Sequence, residues 1–504
     1  MKKTMKVVKY LILAFILFAA LLAFLLAKWY TDRYGDTGFM SIISTFMTPW
    51  KGCSNNLSIS WKLNALLPAG ILTLILYPIF FYRGKKFNWT IRKDGKNPVQ
   101  LFPIKLRLSN IIFTVMCTTL VVVAAIMVRF PEFVVDYYFD DTKLYDDHYV
   151  SPDEVEITFP EKKRNLIYIY LESMETSFMS KEQGGAQKVD MIPELTQLAQ
   201  ENVNFSHNNG IGGWPRINHT TWTSAALVAQ TSGLPLTMDL SKIEIGKFEG
   251  YLPGATNLQD ILKEQGYYQT FMCGSDANFG SREEYYYLHG ADHVYDLFTA
   301  RKDGLIPEDY MVWWGFEDSK LFDYAKQELT EISKKDQPFA FTLLTVDTHH
   351  IDGYYDKSCC ENQHSEQYEN VISCSSRQVK AFVEWIQQQD FYENTTVVVV
   401  GDHQSMDNQY FVRNVEEGYD RHVYNCIINA PITTEFSKNR VFTPMDLFPT
   451  TLAALGCTIE GERLGIGTNL FSGHPTLAEE LGLKYLNDQI TKHSDYYVDH
   501  FIED

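Results

Sequence analysis

Acidic and imidazole side chains stand directly behind three short apolar runs in the C-terminal two-thirds of this chain. Asn165–Leu171 (NLIYIYL) stops at Glu172. Phe339–Val346 (FAFTLLTV) stops at Asp347, Thr348, His349 and His350, and Thr396–Val400 (TVVVV) leads through Gly401 to Asp402 and His403. A strand buried on both faces reads as such a run, as in a parallel sheet covered by helices. Ligands of open α/β sheets bind beyond the carboxyl ends of the strands, so Glu172, Asp402 and His403 are expected to meet there. Alone, a strand-end carboxylate reads as a helix cap, and an Asp-His pair as a structural hydrogen bond. Two carboxylates and a histidine on one sheet edge make a mixed oxygen and nitrogen set suited to a divalent cation, Mn²⁺ or Zn²⁺.

A hydroxyl-rich segment, TTWTSAALVAQTSGLPL over 220–236, supplies the nucleophile candidates. Thr220, Thr221 and Thr223 are suited to capping a helix, Ser224–Thr231 is helix-compatible, and Gly233 and Pro235 end it. The bland reading is a threonine cap over a buried helix. The sharper one uses the helix start, whose free N–H groups and dipole favour an anion. A threonine alkoxide beside a metal there can attack phosphorus and form a phospho-threonine intermediate.

These residues need elements to hold them. Helical patterns at Asp318–Ser333 and Ser376–Gln389 lie between the apolar runs, and the alternation predicts an α/β fold, a sheet sandwiched by helices. With 45% hydrophobic residues the chain is not a disordered one. Its net charge of −19 hides a division. Residues 1–132 hold 17 Lys/Arg against 4 Asp/Glu, or +13, and the remainder 27 against 59, or −32. So acidic a region does not grip a polyanion, which argues against nucleic-acid partners.

The basic part contains three uncharged apolar stretches, Tyr10–Ala27, Leu63–Tyr82 and Leu108–Val128. Each approaches the roughly 20 residues that cross a bilayer as a helix. They predict transmembrane helices at about 8–28, 62–82 and 108–128 in a membrane domain of residues 1–130. The first also has the basic start of a signal peptide, but its length and the lack of a small-x-small site before Lys28 favour a span. Lys2, Lys3, Lys6 and Lys9 precede the first span, and Arg83, Lys85, Lys86, Arg92, Lys93, Lys96, Lys105 and Arg107 fill the loop between the second and third. By the positive-inside rule both face the cytoplasm, and everything after Arg129 lies outside. Residues 131–160 read as an acidic, aromatic tether broken by Pro152 and Pro160, and 161–504 as the catalytic domain. Seven of the eight cysteines then lie outside, with Cys117 in the third span. Cys359 or Cys360 is expected to pair with Cys374.

Taken in order, NLIYIYLES (165–173), TTWTSAALVAQTSGLPL (220–236), HGADHVYD (289–296), TVDTHHIDGYY (345–355), VISCSS (371–376), VVVVGDHQSMDN (397–408) and TPMDLFPTTLAALG (443–456) resemble the alkaline phosphatase/sulfatase superfamily. Within it they resemble the membrane phosphoglycerol transferases, a group that includes the lipoteichoic acid synthases and the phosphoglycerol transferases of periplasmic glucan modification. The resemblance covers roughly residues 163–475 and implies an alkaline phosphatase/sulfatase-like sheet. It implies Glu172, Thr223, Asp402 and His403 as metal ligands, Thr223 as nucleophile, and Arg282 and His349 as substrate-binding residues. Mn²⁺ is the metal it favours, with Zn²⁺ or Mg²⁺ as alternatives. It implies phosphatidylglycerol in the membrane as donor, diacylglycerol as leaving group, and an extracytoplasmic glycan or teichoic-type polymer as acceptor. One departure is Gly280, where the lipoteichoic acid synthases carry a tryptophan of the glycerol pocket.

Other readings have their own signals. A formylglycine sulfatase needs Cys or Ser in a C/S-x-P-x-R context, which Gly213-Trp214-Pro215-Arg216 lacks. A phosphoethanolamine transferase or lipid phosphodiesterase of the same superfamily shares the nucleophile and metal set. A non-catalytic membrane-tethered module would not need Glu172, Thr223, Asp402 and His403 together. His422 reads as part of a surface pair with Arg421, and Trp313-Trp314 before Gly315 as core or a helix start rather than a sugar platform, while His289 and His293 lack a clear ligand partner.

Overall fold

The structure, a computed structural model, describes residues 2–35, 38–47, 59–82, 88–91, 99–238 and 251–502. The chain forms two compact units, one of Met1–Phe39 and Ser54–Val134, the other of Met40–Cys53 and Val135–Asp504.

In the first unit three helices, Val7–Tyr34, Ile59–Phe81 and Leu106–Met127, are long and apolar enough to cross a membrane. The first outruns the expected span because the Lys28–Asp32 pair, 2.7 Å apart one turn on, continues the helix in polar sequence. Leu17, Ala20, Leu21, Ala69, Phe80, Phe81, Phe113 and Cys117 pack together between the helices. Small side chains such as Ala20 and Ala69 let helices approach closely where lipid offers no hydrophobic drive. Of the expected cytoplasmic loop, Arg83, Lys85, Lys86, Arg92, Lys93 and Lys96 lie outside the described residues.

The second unit is built on a six-stranded sheet. Its strands are β1 (Asn165–Leu171), β2 (Tyr268–Cys273), β3 (His293–Tyr295), β4 (Phe339–Leu344), β5 (Thr395–Gly401) and β6 (Asn425–Ile428), in spatial order β3-β2-β4-β1-β5-β6. Five strands are parallel and β6 is antiparallel to β5. Every residue of β1, β4 and β5 is buried, and each large aliphatic side chain taken from water there contributes roughly 1.5–3 kcal/mol. Ile167, Ile169 and Leu171 face helices Asp318–Ile332 and Gln367–Gln387 through Leu321, Leu329, Ile372 and Phe382. On the opposite face the Tyr168 hydroxyl donates to Gln230 of helix Thr223–Ser232 (2.9 Å), and the Phe271 and Tyr286 rings stack at 4.0 Å. The sheet is thus covered on both sides, the α/β sandwich that the apolar runs predict.

Two stretches differ from the sequence reading. The helix expected from Ser376 begins nine residues earlier, at Gln367, because Ser373, Cys374, Ser375 and Ser376 are buried inside it rather than loop-forming. The stretch read as a tether is bound to the domain along much of its length. Leu144 and Tyr145 are buried, Tyr145 packs edge-on against Tyr497 at 5.0 Å, and Ile157–Thr158 pairs antiparallel with Thr458–Ile459. Leu144 and Tyr145 serve as core residues while Tyr138 and Phe139 stay exposed, a difference that composition alone does not show.

Candidate active site

Register places the site. Leu171 of β1 pairs with Gly401 of β5, so the next residues, Glu172 and Asp402, emerge side by side at the carboxyl edge of the sheet. The turns there are tight. A Cβ at Gly401 would lie 2.0 Å from the Met174 carbonyl oxygen, so only glycine fits. Ser173 takes the left-handed conformation (φ 57°) and donates its N–H to Asp402 Oδ1 (2.8 Å) and its hydroxyl to Glu172 Oε1 (2.6 Å). β4 contributes Thr345, whose hydroxyl oxygen accepts the Glu172 N–H (3.0 Å), and the loop beyond it Thr348, whose hydroxyl donates to the Glu172 carbonyl (2.5 Å).

The carboxylates of Glu172 and Asp402 and the His403 imidazole present ligand atoms within 4.8 Å of one another, all three residues buried. His403 Nδ1 lies 2.8 Å from the Gln404 carbonyl, an arrangement that places the proton on Nδ1 and turns the Nε2 lone pair inward. Nε2 is 3.3 Å from Asp402 Oδ2 and 3.9 Å from Glu172 Oε1. Asp402 Oδ2 is buried and accepts no hydrogen bond among the described residues. An orphaned carboxylate oxygen facing a lone pair and a second carboxylate is a donor set that fits a divalent cation.

The electrostatics agree. Burial, then the charge of Glu172, pushes the Asp402 carboxyl up to about 7. Burial opposes ionisation of Glu172 as well, but His349 and His403 outweigh it and hold that carboxyl below its usual range. His403 is raised against its own burial by Asp402 and Glu172. Glu172 thus holds its charge at the expense of Asp402, and the two buried carboxyls compete with His403 for protons.

Helix Thr223–Ser232 brings the hydroxyl. Its N-cap is Trp222, in extended conformation, and no side chain caps it, so the threonine cap expected over this helix is not made. Thr223 instead donates to Glu172 Oε2 (3.2 Å) and lies 3.5 Å from His403 Nε2. Two of its rivals are engaged elsewhere, Thr220 with the Ile217 carbonyl (2.9 Å) and Ser224 with the Gly280 carbonyl (2.7 Å). Gly233, at φ 67°, ends the helix in the left-handed conformation that glycine adopts readily. Gln230, two turns in, donates Nε2 to the carbonyls of Gly401 and Asp402 (both 3.3 Å), fastening the Thr223 helix to the end of β5.

The two residues expected to bind substrate, Arg282 and His349, lie on two turns. Arg282 is buried at the start of helix Arg282–Leu288, its guanidinium donating to the carbonyls of Phe279 (2.9 Å) and Asp276 (2.8 Å) and to the Ser275 hydroxyl (3.1 Å). The Ser224–Gly280 hydrogen bond joins this turn to the Thr223 helix. At Gly280 (φ 66°) a Cβ would lie 2.5 Å from the Ser224 hydroxyl, so a tryptophan is not accommodated without rearrangement. His349 follows β4, with Nδ1 2.8 Å from the His350 carbonyl.

Sequence reasoning missed Gln230, Thr345 and Thr348, which position Glu172 and Thr223. It also read Trp314 as core or a helix start. That ring is buried, but it lies 4.6 Å from His349 and 5.2 Å from Phe279, reached through the bridge between Ser275 and Gly315. His289 and His293 pair with Asp260 (2.7 Å) and Glu328 (3.5 Å), apart from the cluster. His422 is not a surface residue: it is buried and stacks on His207 at 3.5 Å.

The chain matches the sulfatase family over residues 164–457 and belongs to it. It is 32% identical over 256 residues to phosphoglycerol transferase I of Escherichia coli (strain 55989 / EAEC), which is 50% of this chain and 32% of that protein. The chain thus spans about a third of the length of the curated relatives it matches. Among solved structures, a protein of the alkaline phosphatase superfamily from Vibrio parahaemolyticus superposes with a TM-score of 0.51 at 21% identity, over 68% of this chain and 82% of that one. The lipoteichoic acid synthase LtaP from Listeria monocytogenes gives 0.49 at 19% identity, over 63% and 79%. The fold is that of the superfamily, whose members are metal-dependent. With three spanning helices and the charge pattern of its flanks, this is a membrane protein with an extracytoplasmic sulfatase domain.

Proposed function

We propose that this protein is a metal-dependent phosphoglycerol transferase. It takes phosphoglycerol from phosphatidylglycerol, releases diacylglycerol into the bilayer, and passes the group through phospho-Thr223 to a hydroxyl of an extracytoplasmic glycan or teichoic-type polymer. The observation that supports it best is the Thr223 hydroxyl at an uncapped helix start, 3.2 Å from Glu172 and 3.5 Å from His403, in a chain with three membrane helices. Glu172, Asp402 and His403, with Thr223, would hold a divalent cation, Mn²⁺ fitting the mixed donor set, which supplies Lewis acidity and lowers the hydroxyl's pKa.

The protein's own groups do the rest. Glu172 orients the Thr223 hydroxyl, whose oxygen attacks phosphorus; the bond from phosphorus to the diacylglycerol oxygen breaks, and the threonine's proton passes, net, to that oxygen so that diacylglycerol leaves as the neutral alcohol. The free N–H groups of the helix start and the Arg282 guanidinium stabilise charge on the transferred group. In the second step the acceptor hydroxyl attacks phosphorus and His349 takes its proton; the Thr223 O–P bond breaks, and that proton returns, net, to the Thr223 oxygen, restoring the hydroxyl and neutral His349. Membrane anchoring keeps the site at high effective concentration near a donor that never leaves the bilayer.

The test uses the full-length protein with Mn²⁺ and labelled phosphatidylglycerol in nanodiscs, without acceptor. Diacylglycerol release and a phosphoglycerol mass on the 220–236 peptide are expected, both absent from Thr223→Ala. Cleavage of phosphatidylethanolamine in place of phosphatidylglycerol would move the donor to the phosphoethanolamine class. No cleavage of either lipid by metal-loaded protein would overturn a phosphatidyl donor.

A further inference from the structure

Three cysteines converge behind the loop that carries His349, and the phosphoryl chemistry does not use them. Cys359 and Cys360 are consecutive in a turn built on Asp356, whose carbonyl accepts both of their N–H groups (3.3 and 2.8 Å) and whose Oδ2 accepts the Cys359 thiol (3.4 Å). Cys374 lies two turns into helix Gln367–Gln387. Its sulfur is 3.3 Å from that of Cys359, and all three sulfurs lie within 4.8 Å of one another. Cys374 is buried, while Cys359 and Cys360 are partly exposed. The domain is extracytoplasmic, where neighbouring thiols oxidise. Three sulfurs make only one disulfide, so a thiol remains beside it.

We propose that Cys359, Cys360 and Cys374 form a thiol–disulfide exchange site, in which Cys374 is bonded to either of the two consecutive cysteines and the third sulfur is the resolving thiol. The first bond forms by exchange with a protein disulfide oxidant of the envelope, which accepts two electrons and two protons and leaves as a dithiol. Thereafter no oxidant is consumed. The Cys360 thiolate attacks Cys374 Sγ, the bond from Cys374 to Cys359 breaks, and Cys359 leaves as a thiolate that takes up the proton Cys360 gave away. Cys374 is the partner common to both linkages and stays bonded throughout; it is held in place on its helix, with Gln378 Nε2 3.4 Å from its sulfur.

The position gives the site a consequence. Either linkage fastens the segment leaving His349 to the helix that carries Cys374. The approach is already tight, since a Cβ at Gly353 would lie 2.7 Å from the Asp347 carbonyl oxygen and 2.8 Å from the Val371 side chain on that helix.

The full-length protein, acid-quenched and alkylated without reduction, is mapped by peptide mass spectrometry. One alkylated sulfur among the three is expected per chain, with both the Cys359–Cys374 and the Cys360–Cys374 linked peptides present. Cys359→Ser and Cys360→Ser should each keep a linkage to Cys374, through the other cysteine. Reduction with a phosphine should free all three and lower amide-exchange protection over 353–366. A single linkage in the wild type, a Cys359–Cys360 linkage, or three free thiols holding a soft metal ion each overturns the proposal. The wild-type map alone decides it if a variant does not fold.

Discussion

At the scale of single residues, the arrangement turns on one hydroxyl and the atoms around it. Thr223 donates to Glu172 rather than capping its own helix, so the side chain is committed to the site. Replacing it with alanine removes the attacking oxygen and leaves the carboxylates in place. Turnover of phosphatidylglycerol should fall by about 10³-fold or more, while Mn²⁺ still raises the melting temperature. Asp402→Asn should act in the opposite sense. It removes one carboxylate from the set, so calorimetric titration should show Mn²⁺ affinity reduced by at least about 100-fold, more than loss of an outer partner costs. Asp402 and Glu172 were legible in the sequence because each ends a fully apolar strand. Trp314 was not, because its neighbour His349 is reached only through the bridge between the 275 and 315 loops.

At the scale of elements, the site depends on how closely the strand ends pack. Gly401→Ala pushes a Cβ into the Met174 carbonyl oxygen at 2.0 Å. It should cost about 1–3 kcal/mol, read by denaturant unfolding, with turnover reduced as well because Asp402 follows directly. The loop after β4 is held by a reciprocal pair: Asp318 accepts the N–H groups of Val346 and Asp347 (2.8 and 3.0 Å), and Asp347 Oδ2 accepts that of Asp318 (3.1 Å). Burial pushes Asp318 up to about 7, and burial with the Asp318 charge holds Asp347 well above the carboxylate range. A folded value above the unfolded one means that the neutral form stabilises the fold. That contribution is complete below about pH 4 and is lost as the pH rises through about 7. Melting temperature, measured with cation present so that Asp402 is committed, should fall from pH 5 to pH 8, and Asp347→Asn should flatten the fall. Strands buried on both faces announce themselves as apolar runs, which is why β1, β4 and β5 could be read directly. β6 could not, because four residues beginning with a buried Asn425 carry no such signature. The early start of the Gln367 helix was hidden for a related reason, since Asn370 and the run Ser373–Ser376 interrupt the apolar side of its first turns even though they are buried.

At the scale of the whole molecule, the chain is a membrane unit and an acidic outer domain whose first residues belong to its core. Residues read as a spacer supply Leu144 and Tyr145 to the interior and a strand to the Thr458–Ile459 pairing. A soluble domain begun at Val135 should therefore stay monomeric, and one begun at Glu161 should melt lower and aggregate, as size-exclusion chromatography and thermal melts would show. Within that domain the Gln230 amide ties the Thr223 helix to the carbonyls of Gly401 and Asp402, whereas Arg282 and His349, proposed to face the substrate, sit on the separate turns around 275–282 and 347–360. The strand-end carboxylates and the outer turns are thus separate pieces of chain. On the proposed mechanism, substitutions in those turns that spare Arg282 and His349 would change which headgroup or acceptor is taken and leave the strand-end chemistry in place.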